Sequence, residues 1–303
     1  PQALLATDFG PNQIGIRNAD VPDDWGDTAI GGRIEGVTKG VGFSLNALYY
    51  RSQLPTLNGG GIESDNPFTG EVESQDYPYL IAFDIKFPRL FMVGGSADFY
   101  VDPIKSAFRV EVTHTSDEEF ANTLEPDLYS QSDVLRWVVG WDRPTFIPFL
   151  NKTRSFLFSA QIFGQHILDH ETESGPLGNR GIPDWEDNYI MTLLINGFYK
   201  ADRIQPRIIT AYDTGAKAGV VSPQLDWLLT DNWRFIVQGN FKWGDDHRFD
   251  DNRTANPFPP FTGAPPEGPS LGLGGYEPLG RFQQGPIGMA QEENEFQFTI
   301  RYQ

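Results

Sequence analysis

Cysteine is absent from all 303 residues, which excludes disulfides and thiolate metal sites. No apolar run reaches the roughly eighteen residues that a membrane-crossing helix needs. Positive charge is scarce: 23 Lys and Arg against 41 Asp and Glu leave a net charge of −18. Nucleic-acid binding needs a concentrated basic surface, so nucleic acid is excluded as a partner. The G-x-S-x-G turn of serine hydrolases and the HExxH zinc motif are both missing. The opening Pro1-Gln2-Ala3-Leu4-Leu5 has no basic n-region and only a brief apolar stretch, so no secretory signal is visible.

Aromatic residues are plentiful: 7 Trp, 11 Tyr and 23 Phe occur in a chain whose mean hydropathy, −0.39, is that of a soluble protein. Placing apolar side chains at every second position reconciles the two facts. In the last nine residues Phe296, Phe298, Ile300 and Tyr302 alternate with Glu295, Gln297, Thr299 and Arg301. The pattern recurs upstream. Trp233, Phe235, Val237, Phe241 and Trp243 alternate with Arg234, Gln238, Asn240 and Lys242, and a tryptophan stands at each end of the apolar set. Leu135, Trp137, Val139 and Trp141 oppose Arg136 and Asp142, and Val41, Phe43, Leu45, Ala47 and Tyr49 oppose Gly42, Ser44 and Asn46. About ten residues per strand, one face apolar with aromatic ends and the other polar, is the pattern of a tilted strand crossing a bilayer around an aqueous lumen.

The expected fold is therefore all-β, an antiparallel transmembrane β-barrel of the outer-membrane type. Strands are expected near 28–38, 41–52, 90–100, 105–115, 133–142, 153–168, 186–200, 203–213, 217–229, 232–243 and 293–303. Pro223 removes a ladder donor, so a bulge is expected near the start of its strand. Long connections at 53–89, 116–132, 169–185 and 244–292 alternate with short ones such as Lys39-Gly40 and Ala201-Asp202, as extracellular loops alternate with periplasmic turns. Thr214-Gly215-Ala216 on the first side and 143–152 on the second depart from that alternation. Eleven is an odd number, whereas bacterial single-chain barrels are normally even. The expectation is thus a single barrel domain over 1–303 that forms the C-terminal part of a longer barrel. One further residue, a phenylalanine, is expected after Gln303.

By parity the lumen face carries Arg33, Glu35, Arg109, Glu111, Arg136, Asp142, Gln161, Gln165, Asp226, Arg234, Lys242, Glu295 and Arg301. Interleaved signs imply either a wetted lumen that selects solutes or cross-strand Arg–carboxylate pairs that stiffen the wall. The lipid-facing aromatic girdle is assigned to Trp137, Trp141, Trp227, Trp233, Trp243, Phe296, Phe298 and Tyr302.

Phe87-Pro88-Arg89-Leu90-Phe91-Met92-Val93-Gly94-Gly95-Ser96-Ala97-Asp98-Phe99, followed by Phe108-Arg109-Val110-Glu111-Val112-Thr113-His114-Thr115, resembles an outer-membrane family of Gram-negative bacteria, domain of unknown function thirteen-oh-two. Ile14-Gly15-Ile16-Arg17, Phe43-Ser44-Leu45 and Val139-Gly140-Trp141-Asp142 fit the same resemblance, which extends over nearly the whole chain. It implies envelope transport of hydrophobic molecules alongside a periplasmic carrier and an inner-membrane pump. It carries no catalytic residues.

The remaining motifs are weaker. The charged run Asp245 to Asp251, followed by Pro257, Pro259, Pro260, Pro265, Pro266 and Pro269, cannot extend a strand, and this loop either folds inward or projects toward a partner. Neither that run nor Asp117-Glu118-Glu119, nor Asp20, Asp23, Asp24 and Asp27 around Trp25, has the spacing of a calcium loop; each reads as a solvated acidic tip. His114 and His166 fall on the outward parity, where the amphipathic ring suits a membrane interface, and no catalytic role is assigned to them. The reading is a non-enzymatic channel or transport component for small or hydrophobic solutes in the bacterial outer membrane. No metal or cofactor is expected. Its partners would be outer-membrane lipid and lipopolysaccharide, with a periplasmic carrier or an extracellular protein. A plugged barrel anchoring extracellular or periplasmic proteins is the alternative, and a soluble β-sandwich is the third.

Overall fold

A computed structural model describes residues 14–22, 24–53, 55–59, 63–65, 72–74, 81–122, 124–125, 129–175, 178–182, 184–244, 287 and 293–302. Eleven strands form one antiparallel sheet in which each strand pairs with its neighbours in the sequence of strands. They are β1 (Ile30–Thr38), β2 (Val41–Arg51), β3 (Arg89–Val101), β4 (Ser106–Ala121), β5 (Tyr129–Thr145), β6 (Phe156–Ile167), β7 (Asp187–Asn196), β8 (Ile204–Asp213), β9 (Ala218–Leu228), β10 (Trp233–Trp243) and β11 (Glu295–Tyr302). All eleven strands read from the alternation are present, in the expected order. Among the described residues β1 and β11 are the two ends of the sheet, and they run in the same direction.

The two ends of the strands differ. At one end the links are short apart from 146–155, the departure expected from the sequence: Lys39 and Gly40, with φ of 49° and 79°, make the two-residue turn between β1 and β2. Lys105, also left-handed, closes the turn from β3 to β4. At the other end the links are long except at 214–217, where the backbone N–H of Ala216 donates to Asp213 Oδ1 at 3.1 Å. Three small sheets draw on those longer links. Thr56–Gly59 pairs antiparallel with Ile81–Lys86, which pairs in parallel with Ile14–Asp20; Glu63–Asp65 pairs with Val72–Ser74, and Thr172–Gly175 with Gly178–Gly181.

Two expectations need correction. The 116–132 loop is shorter than read, because β4 runs to Ala121 and β5 starts at Tyr129. The two strands continue past a bulge: Asp117 takes φ of 57°, the register shifts between Ser132 and Val134, and the Asp117 N–H donates to Asp133 Oδ1 at 3.1 Å. Pro223 causes no bulge. It sits opposite Ile208 in unbroken register, and toward β10 the pairing lapses at Ser222 and Pro223 and resumes at Gln224 in the same register, so the chain is not displaced. The connection read at 53–89 carries four of the small strands just described. The loop expected at 244–292, with its acidic and proline runs, lies outside the described residues apart from 244 and 287.

Buried apolar side chains are few. Phe120, Val134, Ile167 and Ile182 form one cluster at the long-link end, with exposures of 3% or less. Val134 and Ile167 are cross-strand partners, and Ile182 reaches them from the segment after β6. That segment is tied down by polar contacts. The fully buried Asn122 donates to Glu171 at 2.7 Å, the Asp169 N–H donates to Ser132 Oγ at 2.9 Å, and the Ile182 N–H donates to Glu171 O at 2.8 Å.

Candidate functional site: the polar face of the sheet

Residues directly opposed in an antiparallel pair project from the same face. The registers therefore link Glu35, Ser44, Ser96 and Glu111 on neighbouring strands, then Arg109, Gly140, Gln161 and Thr192, and finally Asp226, Arg234, Lys242, Glu295 and Arg301. All thirteen residues assigned to the lumen by parity share this one face. The eight assigned girdle aromatics, Trp137, Trp141, Trp227, Trp233, Trp243, Phe296, Phe298 and Tyr302, share the other.

Exposure is inverted relative to a water-soluble sheet. On β2, Leu45 is 61% exposed while its neighbour Ser44 is 4% exposed; on β9, Trp227 is 41% exposed while Gln224 is 8% exposed. Water penalises a contiguous apolar surface of this extent, so the exposed face is built for a different neighbour. Its aromatics form two rows. Trp141, Trp227, Trp233 and Tyr302 lie toward the tight-turn end, with Trp233 and Tyr302 5.1 Å apart between centroids. Trp137, Tyr189 and Trp243 lie toward the other end, Trp137 and Tyr189 being 6.0 Å apart. The indole of Trp137 covers Gly164 and that of Trp243 covers Gly219, so closely that a Cβ on these glycines would come within 2.2 Å and 2.3 Å of ring carbons.

The polar face is wired by hydrogen-bonded charges. Arg136 donates to both carboxylate oxygens of Glu118 at 2.8 Å and, through Nε, to Gln165 at 3.0 Å. Arg234 grips Asp226 in the same two-pronged way, at 2.7 Å and 2.6 Å. Arg207 donates to Gln224 at 2.6 Å, Ser44 and Ser96 share a hydrogen bond of 2.8 Å, and Lys242 approaches Glu295 to 3.6 Å. Arg33 and Glu35 pair at 2.9 Å on the edge strand, both well exposed. The side chains of Arg109, Glu111, Asp142, Gln161 and Arg301 make no such contact among the described residues. Paired and unpaired ions thus lie side by side on this face.

Glu118 was read as part of a solvated acidic tip, and that is corrected. The bulge at Asp117 carries it onto the polar face beside Arg136. Glu119, 6% exposed, accepts a hydrogen bond from Thr56 at 2.7 Å. Asp20 and Asp27 likewise contact Arg51, and Asp27 also contacts Arg89, which ties the 24–28 turn to the ends of β2 and β3. Trp25 remains 94% exposed, and Asp23 lies outside the described residues.

On the apolar face His114 meets Asp133 and His166 meets Asp187, each at 3.0 Å, so each ring is held by a carboxylate. His166, Glu186 and Asp187 bring one donor atom each within 4.8 Å of one another, a spacing that a small cation can bridge, although all three are exposed or half-buried.

One antiparallel meander with segregated faces defines the class: an all-β wall, polar on one side and aromatic on the other. The chain belongs to the family described as "Protein of unknown function (DUF1302)", which matches residues 5–303. Comparison with curated proteins and with solved structures gives no match.

Proposed function

We propose that this chain forms the wall of an outer-membrane β-barrel that works as a channel or transport component for small or hydrophobic solutes. The inverted exposure carries the reading. A face rich in Phe, Tyr and Trp suits hydrocarbon bounded by two interfaces, and a face of hydrogen-bonded Arg, Asp, Glu, Gln and Ser suits a wet lumen. Lipid and lipopolysaccharide are then the surroundings of the apolar face. A periplasmic carrier or an extracellular protein would meet the ends of the strands. The mechanism is passage rather than bond chemistry: paired ions keep the wall rigid, and unpaired Arg109, Glu111, Asp142 and Arg301 meet the solute and its counter-ions.

The buried cluster around Ile182 favours a second reading. The segment that carries it packs onto the polar-face pair Val134 and Ile167, as a plug would in a barrel that anchors other proteins. Single-channel conductance of the full-length protein in planar bilayers separates the two. Steady ion-selective openings are expected of a transport component. Silence from demonstrably inserted protein would overturn that reading in favour of the anchor.

A further inference from the structure

Charge is not spread evenly over the polar face. On β6 the residues of this face are Leu157, Ser159, Gln161, Phe163, Gln165 and Ile167, and on β7 they are Asn188, Ile190, Thr192, Leu194 and Asn196. Neither strand contributes a charge to it, whereas β4 and β5 contribute Arg109, Glu111, Glu118, Arg136 and Asp142 on one flank. On the far flank β8 contributes Arg207, opposite Asn196, and Asp213, opposite Ile190, and β9 and β10 contribute Asp226, Arg234 and Lys242. Apolar side chains cross the strip and reach its borders in two rows. Val138 on β5, Phe163 and Ile190 are consecutive cross-strand partners, and beyond the Gln161–Thr192 pair Leu194 faces Ile209 on β8. With strands about 4.8 Å apart and a rise of about 3.3 Å per residue, this patch spans roughly 10 Å by 13 Å, enough to seat a hydrocarbon segment lengthwise.

We infer that this neutral strip is the contact track for an elongated, uncharged, hydrocarbon-rich solute, while ions and water follow the charged flanks. The inference rests on the barrel reading above and narrows its substrate class. Neutrality argues for this occupant. A charged solute gains nothing from amides and alkyl groups, and a bare apolar patch in a wet lumen is stabilised only when covered by something apolar. Ser159, Gln161, Gln165 and Thr192, interspersed among the apolar side chains, keep the track wettable when it is empty.

The test uses the full-length protein in native outer-membrane vesicles and a sixteen-carbon alkane bearing a photoreactive diazirine, with labelled residues mapped after digestion. Label is expected on Phe163, Ile190 and Leu194 as well as on the lipid-facing Phe298 and Trp243. In the Phe163→Gln/Leu194→Gln pair the label on the strip should fall about five-fold or more, while that on Phe298 and Trp243 stays. Labelling confined to the apolar face of the wild type, with ion conductance intact, would overturn the track and leave the channel reading standing; strip label indifferent to the paired substitution would overturn it too. Loss of conductance together with no label on Phe298 or Trp243 would overturn the barrel reading itself, and the track with it.

Discussion

The long-link end of the sheet and the tight-turn end solve different problems with the same strands. At the tight-turn end the chain reverses in a few residues, Lys39, Gly40 and Lys105 taking left-handed conformations, and nothing folds back over the sheet between β1 and β4. At the long-link end the described residues hold a buried apolar cluster, a buried Asn–Glu contact and a bulge that turns a carboxylate toward an arginine. One end economises on chain; the other concentrates contacts that only tertiary structure can make. The tertiary contacts that stabilise the sheet therefore concentrate at the end with the bulge and the cluster.

Substitutions can break that contrast or sharpen it. The largest effect is expected from Ile167→Ala, which opens a void among Phe120, Val134 and Ile182 and should cost about 2–4 kcal/mol. Urea unfolding of vesicle-inserted protein followed by tryptophan fluorescence measures it, and a cost within the range of a surface substitution would mean that the cluster is not a packed core. Glu118→Ala comes next. It leaves Arg136 without its two-pronged partner, and because both side chains are partly solvated the cost should be about 1–2 kcal/mol. The same variant should change ion selectivity if the lumen is open, read as a shifted reversal potential across a salt gradient. Gly219→Val forces the Trp243 indole off its seat and is expected to cost about 1–2 kcal/mol, with a shifted emission maximum reporting the moved ring. At the tight-turn end Gly40→Ala places a Cβ at a φ of 79° and should cost about 1 kcal/mol, an effect confined to the β1–β2 hairpin and visible as faster local amide exchange. The Arg33–Glu35 pair, exposed on both sides, should yield no more than about 0.5 kcal/mol in a double-mutant cycle.

Alternation made the sheet legible because a period of two is written directly into residue order. All eleven strands, and the face taken by each of the thirteen polar and eight aromatic candidates, follow from it. Which charges meet does not, since partnership depends on register, and register at β4 and β5 depends on one extra residue at Asp117. The run Asp117-Glu118-Glu119 reads as a solvated tip by composition, yet the strand carries on through it to the buried Phe120. The parallel pairing of Ile14–Asp20 with Ile81–Lys86 was equally hidden, joining segments more than sixty residues apart without a helix between them to announce a crossover. Pro223 misled in the opposite direction: its missing donor suggested a distortion, and the ladder absorbed it.

The shared direction of β1 and β11 sets an arithmetic rule for any closed version of this wall. Steps that alternate up and down come back to the starting direction after an odd number of strands, so the two free edges can bond to each other only in parallel. Antiparallel bonding on both edges needs an odd number of further strands in the gap, whichever segment or subunit supplies them. Where further strands fill the gap, an engineered cysteine pair bridging β1 directly to β11 should fail to form, whereas direct parallel closure would allow it; with no cysteine among these 303 residues such a bond would be plain to detect.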